Sequence, residues 1–209
     1  MKIENLSFTA QGYVTCHSNF YSSHNTLDEK QYFLKPGVNS FVGDIDSEGW
    51  TISYLLSMYH VSPKDFALSS LLQITVNDNV VMDYESFSHY VCYLDRSFPL
   101  FSDNVSVKEL VSDGMRTHGM VRTPSIQSEE DIRILFGLDK ERFERPLRGT
   151  GNEIYQAMAA IGYCHGKQVF CFPWFSAARF RHFEYRLNYL LNLLNELNMI
   201  VVSPVEKNE

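Results

Sequence analysis

The chain is short of the features that mark several large protein classes. Basic residues are the minority, 18 Lys and Arg against 25 Asp and Glu, so the net charge is −7 and the overall charge argues against a general nucleic-acid binder, which needs a basic face. No apolar run approaches the length of a membrane span. The start, Met1-Lys2-Ile3-Glu4-Asn5, lacks the apolar stretch of a secretory signal. The four cysteines, Cys16, Cys92, Cys164 and Cys171, form no CxxC pair. These absences point to a reduced, cytoplasmic protein. What is present is 44% hydrophobic and 14% aromatic over 209 residues, enough for a sizeable core in one domain with a subdomain.

Hydrophobic periodicity predicts an α/β protein. Ile3, Leu6 and Phe8 open a strand. Residues 15–29, rich in Ser, Asn and His, read as a loop or irregular hairpin. Lys35-Pro36-Gly37 turns the chain into an apolar strand over 38–42, and a helix follows over 49–59. Short strands over 72–76 and 80–82 flank Asn77-Asp78-Asn79, a hairpin signal, and another spans 90–94. From 98 to 148 the chain is charged and mostly helical, with helices expected over 107–115 and 128–136 and a flexible loop over 117–125. Ser128, followed by Glu129, Glu130 and Asp131, supplies a cap and first-turn acids. A helix over 152–163, a buried strand over 169–172, an amphipathic helix over 180–198 presenting Leu187, Leu190, Leu191 and Leu194, and a strand over 199–202 complete the chain. This alternation implies a sheet parallel at its centre.

The stretch Gly43-Asp44-Ile45-Asp46-Ser47-Glu48-Gly49-Trp50-Thr51 joins a strand to a helix, the place of a phosphate-binding loop. Such a loop holds phosphate with bare backbone N–H groups, a helix N-terminus and a lysine. This one carries Asp44, Asp46 and Glu48 and no lysine, and three carboxylates repel a triphosphate. The same residues match the first half of an EF-hand, but its twelfth position would be Leu55, which cannot ligate. Binding of a divalent cation in another geometry by Asp44, Asp46 and Glu48 stands against the simpler reading of a solvated acidic loop capping the helix. Cys16, His17 and His24 are zinc-ligand types without a second cluster, and read as polar loop residues. Arg142, Arg145 and Arg148, and Arg179, Arg181 and Arg186, form two groups that read as solvated charge, with nucleic acid or an acidic partner as the sharper option. Phe170, Phe172, Trp174 and Phe175 read as core and interface packing, with Pro173-Trp174 as an exposed aromatic contact.

Several segments resemble, in order and spacing, the ATP-binding domain of ABC transporters. Ile3-Glu4-Asn5-Leu6-Ser7-Phe8 is similar to its first strand, and Leu34-Lys35-Pro36-Gly37 with 38–43 to the approach to its P-loop. Tyr93-Leu94-Asp95-Arg96 resembles the Q-loop, Leu147-Arg148-Gly149-Thr150-Gly151 the signature, 167–176 Walker B, and Ile200-Val201-Val202-Ser203-Pro204 the last strand and H-loop. The resemblance implies a P-loop NTPase-like central sheet with flanking helices, a core of 1–97 and 149–209, and a helical subdomain over 98–148. It also implies missing chemistry. Gly49 stands at the P-loop lysine and Trp50 at the following hydroxyl residue, while Gly43 and Thr51 remain. Arg96 stands at the Q-loop glutamine. Leu147 and Gly149 survive in the signature, but Arg148, Thr150 and Gly151 replace its other residues. Phe172 and Pro173 occupy the positions of the magnesium-binding Asp and catalytic Glu, Arg179 that of the D-loop Asp, and Pro204 that of the H-loop His.

Without these groups, the metal, the phosphate charge partner and the oriented water of ATP hydrolysis have no holders. The expectation is a pseudo-ATPase with no catalytic residue and no cofactor, acting as a protein-binding, regulatory or accessory subunit. It would pair with itself or with a related ATPase subunit, and reach a membrane permease only indirectly. In such a dimer the acidic Asp44, Asp46 and Glu48 would face Arg145 and Arg148. The alternatives are a residual ATP-binding subunit working with an intact partner, and a nucleic-acid ring or clamp, which the net charge of −7 disfavours.

Overall fold

Inward and outward positions alternate along residues 6–34 and make two long antiparallel strands, β1 (Leu6–His17) and β2 (Ser22–Leu34). The structure is a computed structural model that describes residues 1–57, 69–117 and 126–206. β4 (Ser69–Val76) pairs with the other side of β1, and β5 (Val80–Met82) with β4, in the order β2-β1-β4-β5. Asn77 and Asp78 both take positive φ at the β4–β5 turn, as residues of their type do in hairpins. Of the two readings of residues 15–29, the hairpin holds, and it is regular through most of its length. Its alternation is hidden in the sequence because the inward positions of β2 include Ser23 and Asn25.

The second sheet is wholly parallel, in the order β3 (Gly37–Val42), β8 (Ile200–Val205), β7 (Val169–Cys171) and β6 (Val91–Tyr93). It is the central sheet expected from the apolar runs. Gly37 opens β3 at φ +103°, and a Cβ there would lie 2.7 Å from Asn195 Oδ1.

Helix α1 (Glu48–Ser57) runs between the sheets and packs on β8, β1, β6 and β3. Every residue from Gly49 to Ser57 is buried, so this helix has no solvent face. Residues 58 and 59, assigned to its end by sequence, lie outside the described residues. A short helix α2 (Tyr84–Ser88), capped by Asp83, precedes β6. Then come α3 (Val107–Thr117), α4 (Glu129–Leu135) and α5 (Lys140–Phe143), followed by two 3-10 turns, Leu147–Gly149 and Gly151–Glu153. Ser128 caps α4, with Asp131 reaching back to complete a capping box. Thr117 ends α3 rather than opening a loop, and the rest of that expected loop, 118–125, lies outside the described residues. α6 (Ile154–Cys164) is buried, and α7 (Ala177–Glu196) buries Leu187, Leu190, Leu193 and Leu194. Among the described residues no helix is long and apolar enough to cross a membrane.

All four cysteines are free thiols in the core. Burial pushes Cys16, Cys92 and Cys164 up to about 12 from an ordinary 9.0. An unfolded thiol ionises first as pH rises, so unfolding releases protons above pH 9 and the folded state loses stability from there towards pH 12. Urea midpoints should be level up to about pH 8 and fall steeply by about pH 10. A flat profile across that window would show that the thiols are reached by solvent in the folded state.

Gln156 on α6 is fully buried, and neither amide atom has a hydrogen-bond partner among the described residues. An unsatisfied buried polar group costs about 1–3 kcal/mol. Gln156→Met, which keeps the length of the side chain and removes its polar atoms, should therefore raise the thermal midpoint. A lower midpoint in calorimetry would mean that the amide holds ordered water.

Candidate functional site

In open α/β sheets, ligands sit outside the carboxyl ends of the strands. Here the ends of β3, β6 and β7 lead into residues 43–47, 94–96 and 172–176, which converge with the start of α7. Residues 43–47 form a tight turn, in which Gly43 N donates to Val205 O and Ser47 N to Asp44 O, both at 2.9 Å. Trp174 is buried, and its Nε1–H donates to Gly43 O at 3.2 Å, so it covers the turn instead of being the exposed contact expected from sequence.

The first turn of α1 faces inward. A Cβ on Gly49 would lie 2.3 Å from Phe41 Cβ, so helix and strand meet with no room for a side chain. Trp50 is fully buried and donates its Nε1–H to Tyr93 Oη at 3.1 Å, and Tyr93 donates to His17 O at 3.3 Å. Burial holds the Tyr93 phenol well above its usual range. Tyr54 meets Tyr93 edge-on at 5.8 Å between ring centroids. Ser53 Oγ donates to the carbonyl of Phe172, whose ring packs with Tyr155 and Phe175 at 6.2 and 6.0 Å.

The three loop carboxylates find separate surroundings. Glu48 pairs with Lys30 at 2.9 Å and accepts from Tyr32 Oη at 3.1 Å. Burial and the Glu48 charge raise the Tyr32 phenol. Asp46 accepts from Ser23 Oγ. Asp44 is exposed and has no side-chain partner among the described residues. No three His, Cys, Asp or Glu residues among those described gather closely enough to hold a metal ion. Thr51 is buried, with Oγ1 2.7 Å from the Asn25 side-chain amide and 3.9 Å from Cys16 Sγ. The Asn25 amide is satisfied when its oxygen accepts from Thr51 and its nitrogen donates to the carbonyls of Asp46 and His24. Cys16, read as a loop residue, is a core residue of β1, and His24 stacks on Tyr13 at 6.0 Å.

The tip of the β1–β2 hairpin, residues 18–21, lies across this edge. Asn19 N donates to Asp95 Oδ2 at 3.0 Å, and Asp95 also accepts from Ser97 N and Oγ. Tyr21 stands edge-on to Trp174 at 5.2 Å. The Arg179 guanidinium lies 3.4 Å over the centre of the Phe20 ring and donates to Tyr155 Oη at 2.8 Å. The chain's own aromatic side chains and hairpin tip thus line the carboxyl edge.

In the signature-like stretch, Leu147 is buried, Gly149 lies against the Arg145 stem and Thr150 Oγ1 donates back to Leu147 O at 2.7 Å. Arg142 and Arg186 both reach Glu153, each at 3.1 Å, and Arg145 pairs with Glu141 at 3.2 Å. Arg148 and Arg181 are exposed, with no side-chain partner among the described residues.

No family profile matches the sequence, and no curated protein matches it. Solved structures do match in fold. The ATP-binding cassette MJ0796, in a dimeric post-hydrolysis state bound to ADP and Pi, aligns at a TM-score of 0.57 over 97% of this chain and 88% of its own, with 11% identity. CbiO1 from Clostridium perfringens, part of the ABC transporter complex CbiONQ, aligns at 0.57 over all of this chain and 80% of its own, with 14% identity. The fold is that of an ATP-binding cassette.

Within this cassette fold, sequence located the acidic loop but not what covers it. Phe20, Tyr21 and the inward Ser23 and Asn25 lie in a stretch whose composition resembles a loop. The glycine at 49 lets α1 begin flush against the sheet, a contact that its neighbours in sequence do not announce. Introducing a charge by Gly49→Lys should overpack this contact and lower stability by about 1–3 kcal/mol, without creating affinity for Mg-ATP. Thermal melts and calorimetric titration of the variant check both halves. An unshifted midpoint would show that the helix start opens readily.

Proposed function

We propose that the chain is a catalytically inactive cassette, a pseudo-ATPase that works by binding other proteins as a regulatory or accessory subunit. One observation carries this reading: aromatic side chains and the hairpin tip of the same chain line the edge where a ligand of such a sheet would sit. Hydrolysis of ATP relies on electrostatic stabilisation by a metal, a cation on the phosphates and a positioned water. At the corresponding positions stand Gly49 against Phe41, Phe172 within an aromatic cluster, and Pro173. Gly43, Asp44, Asp46, Glu48, Gly49 and Thr51 are then a degenerate nucleotide loop, and Leu147, Arg148 and Gly149 a degenerate signature. Neither is assigned a cofactor. Residues 98–148 act as a helical subdomain on a core of 1–97 and 149–209, in the cytoplasm.

The partner is a second copy of this chain or a related ATPase subunit, an arrangement supported by the dimer of MJ0796. Asp46, Glu48 and Arg145 are engaged within the chain, which leaves Asp44 and Arg148 as the opposite charges free to meet across such a contact. An exposed pair contributes only about 0–1 kcal/mol, so apolar contacts supply most of the affinity.

Calorimetric titration with Mg-ATP, together with a phosphate-release assay, tests the central claim. The expected result is no saturable binding tighter than the millimolar range and no turnover above a protein-free blank. Micromolar affinity or steady turnover would overturn it in favour of a residual ATP-binding subunit.

A further inference from the structure

The parallel sheet has one uncovered edge. β6, at one end of the strand order, is wholly buried, whereas β3, at the other, pairs with β8 alone. Gly37 N donates to Met199 O at 2.7 Å and Gly43 N to Val205 O at 2.9 Å, so the odd-numbered positions of β3 face β8. The N–H and C=O of one strand residue point to the same side, and the side alternates along the chain. Val38, Ser40 and Val42 therefore turn both groups away from β8, where no other strand among the described residues meets them. Their side chains are exposed as well, Val38 by 40% and Val42 by 63%.

Edge strands of soluble proteins are commonly guarded by charges, proline or a bulge. β2, an edge of the antiparallel sheet, carries exposed Asp28, Glu29 and Lys30. β3 has no charged residue and no proline, and it pairs with β8 without a register shift. Asn39 donates its amide to Lys35 O at 2.9 Å and to Val201 O at 3.2 Å, which fixes the start of the strand from the β8 side. A strand already held straight, with unmatched donors and acceptors, loses little freedom when another strand adds to it.

We infer that β3 is a self-association edge, which pairs antiparallel with β3 of a second copy of this chain about a two-fold axis and joins the two parallel sheets into one. The strand is complementary to itself. With Ser40 opposite Ser40 of the second copy, Val38 lies opposite Val42 of that copy and Val42 opposite its Val38. All three outward residues then fall in pairs that exchange both N–H···O bonds. Opposed residues share a face of the sheet, so the exposed valines cover one another, while Phe41 stays packed on α1 from the other face. The charges at the two ends select the same direction. Exposed Lys35 precedes the strand and exposed Asp44 follows it, neither with an ion-pair partner among the described residues. Antiparallel pairing brings each Lys35 towards Asp44 of the other copy, whereas parallel pairing would set like charges together. Asp44 serves either this contact or the meeting with Arg148, not both. A two-fold contact uses up the edge in both copies, so assembly stops at a dimer. The inference goes beyond the pseudo-ATPase reading and does not need it.

Light scattering and sedimentation of the full chain test the pairing, and the expected result is a dimer that dissociates on dilution. Val42→Lys changes an exposed side chain and should raise the dissociation constant about tenfold or more, with an unchanged circular dichroism spectrum. Ser40→Cys gives a positive readout. Opposed residues of such a pair stand about 5.5 Å apart at Cα, within disulfide reach, so mild oxidation should link two copies. Val81→Cys, exposed on the other sheet's edge strand β5, should stay unlinked, and the chain's own four cysteines are buried. Arg148→Glu should leave the dimer intact. A monomer at every concentration, a dimer indifferent to Val42→Lys, absence of a Ser40→Cys link, or a dimer dissolved by Arg148→Glu would overturn the proposal. So would a monomer that captures a labelled extended peptide of alternating valines, which would make the occupant a foreign strand. None of these outcomes depends on Mg-ATP, so the strand pairing and the pseudo-ATPase reading fail separately.

Discussion

Helix α1 has no solvent face, and the rest of the fold is arranged around that constraint. Its first turn lies flush on β3 through the Gly49–Phe41 contact. Trp50 ties it to β6 through Tyr93, Ser53 to the chain leaving β7 through the carbonyl of Phe172, and Thr51 to β2 through Asn25. Tyr84 of α2 donates to Leu55 O at 2.7 Å. Fully burying one large apolar side chain contributes about 1.5–3 kcal/mol, so Trp50, Ile52, Leu55 and Leu56 together make α1 a main contributor to the core. A helix held this way cannot shift at its N-terminus without disturbing both sheets.

That constraint explains what was legible in the sequence. The parallel sheet was visible at 169–172 and 200–202, where the strands are buried on both faces and read as unbroken apolar runs; β3, at the sheet edge, carries Asn39 and Ser40 between its apolar residues and exposes Val38 and Val42. α4 was visible from its cap, and α7 from its leucine face. The β1–β2 hairpin was obscured by the polar contacts that α1 requires. Ser23 and Asn25 point inward to reach Asp46 and Thr51, and a polar residue at an inward position erases the period-two signal. Trp174 was misplaced for a related reason: beside Pro173 at a strand end it reads as surface, and only the return of the hairpin tip with Tyr21 covers it.

The arginines illustrate a different limit. Arg142, Arg145 and Arg148 are close in sequence and Arg186 is remote, but the structure groups Arg142 and Arg186 around Glu153 and leaves Arg148 apart. Glu153 is the organising residue, and nothing in its local sequence sets it apart from the other acids. Its role depends on where α7 crosses the turn before α6, a long-range fact. Residue type indicated the chemistry available, and topology decided which groups act together.

The hairpin also bears on how this fold would hold together without a nucleotide, as the proposed reading requires. A bound ligand stabilises a protein only when its concentration exceeds its Kd, and then by an amount that grows with the logarithm of their ratio. A hairpin tip joined to the same chain is present at all times and loses no translational freedom on docking. Asn19 on Asp95, Tyr21 on Trp174 and Phe20 under Arg179 connect β1 and β2 to the approaches of β6, β7 and α7. In the proposed reading these contacts tie together the same elements that a nucleotide would bridge from outside. Stability is then set by the sequence alone, without any coupling to ATP.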